Sequence, residues 1–155
     1  MQETFERDLM ILLHDVARTL RTRADRTARA HGMTRAQWII LARLARQPGL
    51  SQNEMAAICE VEPITIGRLV DRLEARGLVE RRADPGDRRI RRLHLLPAAR
   101  PLVEEITAYR AAANDEIADG LAPGQYDALV DMLIRIKNNL AADGTNYPKI
   151  EAAGG

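Results

Sequence analysis

Residues 51–95, SQNEMAAICEVEPITIGRLVDRLEARGLVERRADPGDRRIRRLHL, spell two short helices followed by a charged hairpin. Ser51 with Glu54 three residues on forms a capping box, which starts the first helix. Glu62-Pro63 starts the second. Proline at the first helical position loses no bond, because its missing N–H would be unpaired there anyway. Glu62 places negative charge at the positive end of the helix dipole. Gly77, following Arg72 and Arg76, is a stop signal. Between these signals Ile66, Leu69, Val70 and Leu73 share one arc at helical spacing, while Ile64, Thr65, Arg68 and Arg72 share the opposite one. Leu78-Val79-Glu80-Arg81-Arg82 is strand-like, and Asp84-Pro85-Gly86-Asp87 is a turn cluster. Residues 88–95 then return as a second strand, with Leu93 and Leu95 on one face.

A bracing helix, a second helix and a hairpin, in that order, match a winged helix-turn-helix. The outward arc of the second helix is short and mixed: an apolar tip, a hydroxyl and a guanidinium near its N-terminus. Such groups meet thymine methyls, phosphates and guanine edges in a major groove. An ordinary surface helix also has a polar arc, so the hairpin carries the other half of the case. From Glu80 to Arg92 there are six arginines and three acids. A solvated charged hairpin is the plain alternative, whereas an arginine at a hairpin tip can enter a narrow minor groove. Gly67 costs about 1 kcal/mol against alanine inside a helix. It serves either close approach to DNA or packing, and both stay open. Ser51 and Gln52, at a helix N-terminus, are placed to touch a phosphate; for Ser51 capping alone is the alternative. The residues expected to face double-stranded DNA are therefore Ser51, Gln52, Ile64, Thr65, Gly67, Arg68 and Arg72, with Asp87, Arg88 and Arg89 from the hairpin.

The run RLVDRLEARGLVERRADPGDRRIRRLHLLPAAR, residues 68–100, resembles the signature of the MarR family of transcriptional regulators, closest to its SlyA-like branch. The resemblance extends over residues 8–140. Its most diagnostic part is the D-x-R of Asp87 and Arg89, followed by L-x-L. In that family the arginine enters the minor groove and the aspartate orients it, which implies those roles for Arg89 and Asp87. One departure is that the family usually continues with Leu-Thr, the threonine capping the next helix, whereas here Leu96 precedes Pro97. The resemblance also implies dimerisation through the terminal helices. It further implies a phenolic or aromatic carboxylate ligand between those helices and the DNA-reading lobe. By position, His14 and Arg18 on the first helix and Trp38 on the second would line that site. Arg18 can pair with a carboxylate and Trp38 can stack on a ring; the plain alternative is a core tryptophan and a surface arginine. A ligand there would change the separation of two recognition helices and release DNA.

A chain of 155 residues fits one domain, or one core with long helical extensions. Apolar residues make up 46% and aromatics only 3%, a balance that leans helical. The net charge of +1 is unevenly placed. Residues 62–100 hold ten basic and six acidic groups, and residues 101–155 hold four and nine. The basic surplus thus lies on the hairpin region and suits a polyanion. No run of about 18 apolar residues exists, so no membrane span is expected. The N-terminus lacks the basic-then-apolar layout of a signal peptide. The single cysteine agrees with a reducing, cytoplasmic setting.

The remaining chain reads as helices. Residues 5–29 carry an apolar stripe of Leu9, Leu12, Leu13, Val16, Ala17 and Leu20, stopped by His31-Gly32. Thr34 caps a second helix that ends at Pro48-Gly49. Residues 97–120 form a fifth, and residues 125–141 a sixth with Tyr126, Leu129, Val130, Leu133, Ile136 and Leu140 on its apolar face. The expected fold is mainly α (α+β): about six helices and a β-hairpin wing. Residues 34–97 form the winged helix-turn-helix, residues 1–33 and 98–142 a helical dimerisation region, and residues 143–155 a loose tail. The apolar stripes of the terminal helices exceed what a small core needs, which favours a homodimer reading a palindrome.

No catalytic constellation appears, and no enzyme is expected. The three histidines have no metal-ligand spacing with Cys59, so no metal or cofactor is expected. Cys59 reads as a small buried thiol rather than a redox sensor. The competing reading is a helical protein-interaction module that retains the fold without binding DNA.

Overall fold

The computed structural model describes residues 5–141. A 3-10 turn (Phe5–Arg7) leads into α1 (Leu9–Ala30), followed by α2 (Arg35–Arg46), α3 (Gln52–Cys59) and α4 (Pro63–Ala75). The hairpin is β1 (Val79–Ala83) and β2 (Arg91–Leu95). A second 3-10 turn (Pro97–Ala99) runs into α5 (Arg100–Ala118), and α6 (Gln125–Ala141) closes the described chain. The expected loose tail lies outside the described residues.

Side chains set the starts of α1, α2 and α3. The N–H groups of Ile11, Gln37 and Glu54 donate to Asp8, Thr34 and Ser51 at 3.0, 3.2 and 3.1 Å. Gln37 and Glu54 return the bond to the cap residue's own N–H, so α2 and α3 both begin with a capping box. The Asp8 cap is why α1 starts after the 3-10 turn instead of at residue 5. Gly77 takes φ +68°, where a side chain would be strained. The turn there lets the Leu78 N–H donate to the Leu73 carbonyl at 3.0 Å, closing a Schellman motif at the end of α4. The fifth helix begins at Arg100, not at 97. Pro101 has no N–H for the Pro97 carbonyl, which instead accepts from Arg100 in a 3-10 turn.

The core lies in the lobe formed by α2, α3, α4 and the hairpin. Ile40, Leu41, Leu44, Met55, Ile66, Val70, Leu73, Val79 and Leu93 are its fully buried large side chains. The apolar arc of α4 faces inward as its spacing dictates, with Leu69 packed against the edge. α5 adds Ile106 to this core, α1 adds only Ala28, and no α6 residue is buried. Arg23 on α1 pairs with Glu116 on α5 at 2.6 Å. Apolar side chains on the remaining faces stand in solvent in the single chain: Leu9, Leu12 and Val16 on α1, and Leu129, Met132, Leu133 and Leu140 on α6.

The two strands pair antiparallel, with Val79 opposite Leu95, Arg81 opposite Leu93 and Ala83 opposite Arg91. The return strand starts at Arg91 rather than Arg88. The Asp84 carboxylate accepts the N–H groups of Gly86 and Asp87, and Asp87 accepts that of Arg89. These bonds hold residues 84–90 as a loop and delay the ladder. On its other side β2 meets the segment before α3: Gly49 N–H donates to the Leu93 carbonyl and Leu93 N–H to the Leu50 carbonyl, both at 2.9 Å. Leu93 therefore joins the hairpin to the helical core. Leu93→Ala should lower stability by about 2–5 kcal/mol in urea denaturation. A loss within the roughly 0.5 kcal/mol typical of surface sites would contradict that role.

Candidate nucleic-acid interface

The arc of α4 that the core leaves free is the one the sequence singles out. Ile64, although large and apolar, is 67% exposed, and Thr65, Arg68 and Arg72 are exposed beside it. Arg68 and Arg72 share one helix face, and neither makes a side-chain hydrogen bond or ion pair among the described residues. Glu62 precedes this helix without a side-chain cap bond, so the N-terminal N–H groups of α4 are not covered by its carboxylate. The result is an exposed surface with an apolar tip, a hydroxyl and two uncommitted guanidiniums. Those groups can meet base edges and phosphates in a groove.

Three other residues expected to face DNA have work inside the chain. Ser51 accepts from Glu54 N–H, so its oxygen is a cap. Gln52 directs its carbonyl oxygen to the Arg81 Nε at 3.0 Å. At Gly67 an added Cβ would lie 3.4 Å from the Gln52 amide nitrogen, and its carbonyl accepts from Arg81 Nη2 at 2.9 Å. Gly67 therefore sits where α3 crosses α4, with room for a Cβ in contact with the Gln52 side chain.

The six hairpin arginines divide by face. Arg81 shares the inward face with Val79 and Leu93, and its side chain is only 19% exposed. Arg92 donates through Nε to Asp84 and through Nη1 to the Gly49 carbonyl at 3.0 Å. Arg82 pairs with Glu80. Arg88 and Arg91 are exposed and make no side-chain bond or ion pair among the described residues. The Arg89 side chain is 92% exposed. The Asp87 carboxylate accepts its N–H at 3.0 Å, its Nε at 3.2 Å and its Nη2 at 3.4 Å, so the guanidinium is held along one edge while Nη1 faces away from that carboxylate. The internal bonds of Arg81 and Arg92 are not evident from the count of hairpin arginines; for Arg92, on the face opposite Leu93, the sequence carries no signal. For Arg81 the signal is strand alternation, since it stands two residues from Val79 on the core face.

The residues expected to line a ligand site do not converge. His14 is exposed, with Nδ1 2.7 Å from the Met10 carbonyl. Arg18 is exposed and pairs with Asp15 at 2.8 Å. Trp38 is buried, its ring centroid 5.2 Å from that of His31 and 6.4 Å from Tyr109 at its edge. It is a core side chain. Arg18 instead lines an open cleft of ≈ 670 Å³ between α1, α2 and the end of α3, together with Arg21, Arg35, Ile39, Ile58 and Cys59. Burial pushes the Cys59 thiol up to about 11, only partly opposed by nearby Arg43. At neutral pH it is protonated and a poor nucleophile. Among the described residues no group of three His, Cys, Asp or Glu side chains is placed to hold a metal. No helix among them is long and apolar enough to cross a membrane.

The hydrogen bond from Arg92, with backbone N–H bonds from Asp87 and Gly86, holds the Asp84 carboxyl below the usual aspartate range. A carboxylate with a depressed folded pKa contributes stability above its unfolded pKa of about 3.9 and loses it as pH falls through the folded value. The wing loop should therefore stay latched at neutral and mildly acidic pH. The Gly86 amide proton shift should titrate with a midpoint below about 3.9, and Asp84→Asn should abolish that titration. A wild-type midpoint at or above the ordinary value would mean that Arg92 does not hold the loop.

The MarR family model matches residues 31–90. Among solved structures, the transcriptional regulator PA3341 is 33% identical, with 87% of this chain and 99% of that chain covered and a TM-score of 0.77. A MarR-family transcriptional regulator from Silicibacter pomeroyi is 25% identical over 93% of this chain and 94% of its own, with a TM-score of 0.79. The transcriptional regulator SlyA is likewise 25% identical, over 88% of this chain and 96% of its own, with a TM-score of 0.74. Equal identity to the last two does not separate a SlyA-like branch from the rest of the family.

Proposed function

The chain belongs to the MarR family of transcriptional regulators, and from that premise we propose that it acts as a homodimer reading a palindromic site. Membership makes it a DNA-binding regulator and not an enzyme. In the proposed complex α4 enters the major groove with Ile64, Thr65, Arg68 and Arg72, while Arg89, steadied by Asp87, reaches the minor groove. Arg88 lies beside the backbone. The observation that carries this reading is the pair of uncommitted guanidiniums on the exposed arc of α4, beside Arg81 and Arg92, whose guanidiniums are bonded within the lobe.

The second copy is supported by the apolar faces of α1 and α6. A helix whose apolar side chains stand in water gains stability when another surface covers them. Two lobes joined in this way can contact successive half-sites about one DNA turn apart. A small aromatic or phenolic acid, bound near Arg18 between the lobes, would release DNA by changing their separation. The cleft supports that chemistry with three guanidiniums, Arg18, Arg21 and Arg35, against two acids, Asp25 and Glu60, and with Ile39 and Ile58 as an apolar floor for a ring. Trp38 and His14 are not needed for it. A cytoplasmic location follows from the proposed access to DNA.

Fluorescence anisotropy on a duplex selected from a random pool, against its scrambled counterpart and across a salt series, tests the reading. Selective binding by two chains per duplex, weakening steeply with salt, is expected. Equal, weak binding to both duplexes would favour the protein-interaction module. Arg68→Ala should cost about 1–3 kcal/mol on the selected duplex and relax preference at one position per half-site. Unchanged affinity on both duplexes would remove α4 from the interface. Arg89→Ala should weaken binding more on A·T-rich flanks than on G·C-rich ones, because narrow minor grooves attract arginine. Equal losses on both flanks would argue against minor-groove entry.

A further inference from the structure

Arg81 is one of the six hairpin arginines, yet its guanidinium turns inward onto α3 and α4. Its Nε donates to Gln52 Oε1 at 3.0 Å, Nη1 to Glu74 Oε2 at 2.7 Å, and Nη2 to the Gly67 carbonyl at 2.9 Å. Asp71 Oδ1 lies 2.8 Å from Nη1, and the Arg81 backbone N–H donates to Glu74 Oε1 at 2.9 Å. One side chain on β1 thus binds the first residue of α3 and three residues along α4. A planar fork with fixed donor directions specifies the relative placement of its acceptors, which a lysine ammonium cannot do.

We propose that Arg81 is the positioning residue of the recognition helix, seating the turn of α4 that carries Arg68. Arg81 grips Gly67, the residue just before Arg68, and Asp71 and Glu74 one and two turns further on. Gly67 takes part through its carbonyl, and the Gln52 side chain that reaches the guanidinium passes beside it, the amide nitrogen 3.4 Å from where a Cβ would stand. The clamp fixes both the rotation of α4 about its axis and its angle to α3, the two quantities that decide where Arg68 meets a base edge. Asp71 and Glu74 already neutralise Arg81, so it has no charge to offer a phosphate. Its effect on DNA passes through Arg68. This inference rests on α4 being the element that reads DNA.

The test is a double-mutant cycle between Arg81→Lys and Arg68→Ala, measured by anisotropy on the selected and scrambled duplexes across a salt series. Arg81→Lys keeps the charge and loses the fork. It should weaken binding to the selected duplex about tenfold, the size expected for losing hydrogen bonds to charged groups. Affinity for the scrambled duplex and the salt slope should stay as in the wild type. In the Arg68→Ala background most of the Arg81→Lys effect should vanish, since coupled residues are not additive. Gln52→Ala, which removes one acceptor without touching the charge, should give the same pattern at smaller size and serves if Arg81→Lys does not fold.

Equal losses on both duplexes with a salt slope shallower by about one would make Arg81 a phosphate contact and overturn the proposal. Additive losses in the double variant would also overturn it, reducing Arg81 to a general stabiliser of the fold. If Arg68→Ala by itself left selectivity intact, the failure would lie with α4 as the reading element and not with the clamp.

Discussion

A guanidinium drawn out of water needs acceptors for its N–H groups and a counter-charge, and the lobe that carries α4 is arranged around meeting that need at Arg81. Acceptors for one side chain come from α3, from three positions along α4, and through Glu74 from a bond back to the strand that bears it. The apolar core beneath sets the distance between these elements but is non-directional. Hydrophobic burial alone would tolerate small rotations of α4 over Ile66, Val70 and Leu73. Directional bonds from a rigid fork do not. A second fork repeats the device at the wing, where Arg92 joins Asp84 to the carbonyl of Gly49 and so ties the hairpin to the segment before α3.

These two commitments change the meaning of the hairpin's charge. Its arginines look like one basic surface in the sequence. In the folded chain Arg81 and Arg92 are internal struts, Arg82 is matched by Glu80, and Arg89 is rooted on Asp87. On the outward arc of α4 and the wing, the guanidiniums without an internal partner among the described residues are those of Arg68, Arg72, Arg88 and Arg91, and Arg89 adds an exposed one that shares its charge with Asp87. A smaller set of guanidiniums on a rigid frame is better suited to reading sequence than a diffuse basic patch, which would bind any duplex through its phosphates.

The two ends of the chain follow a different logic. The winged lobe closes its own core, while α1 and α6 keep apolar side chains in solvent, so the proposed second copy would complete what one chain leaves open. The cleft with Arg18 lies where α1 meets α2 and the end of α3, between the part proposed to hold the dimer and the part that reads DNA. A ligand wedged there would press on α3, to which α4 is clamped. Trp38, attractive by residue type as a stacking platform, is instead committed to the core between His31 and Tyr109.

Much of this fold was legible in the chain because much of it is local. Capping at Thr34 and Ser51, the proline start of α4, its glycine stop, and its inward and outward arcs depend on residues within one or two turns of each other. Sequence spacing reports such contacts directly. What tertiary structure decided was partner choice. Gln52 and Arg81 stand 29 residues apart, and Gly49 and Arg92 stand 43 apart, so no spacing rule pairs them. The start of β2 at Arg91 depended on which N–H groups Asp84 and Asp87 captured. Residue types and spacing set which side chains can bond and which arc of α4 turns inward. Only the packed structure decided which partners lie within reach, because burial brings distant segments together and then obliges every polar group caught there to find a bond.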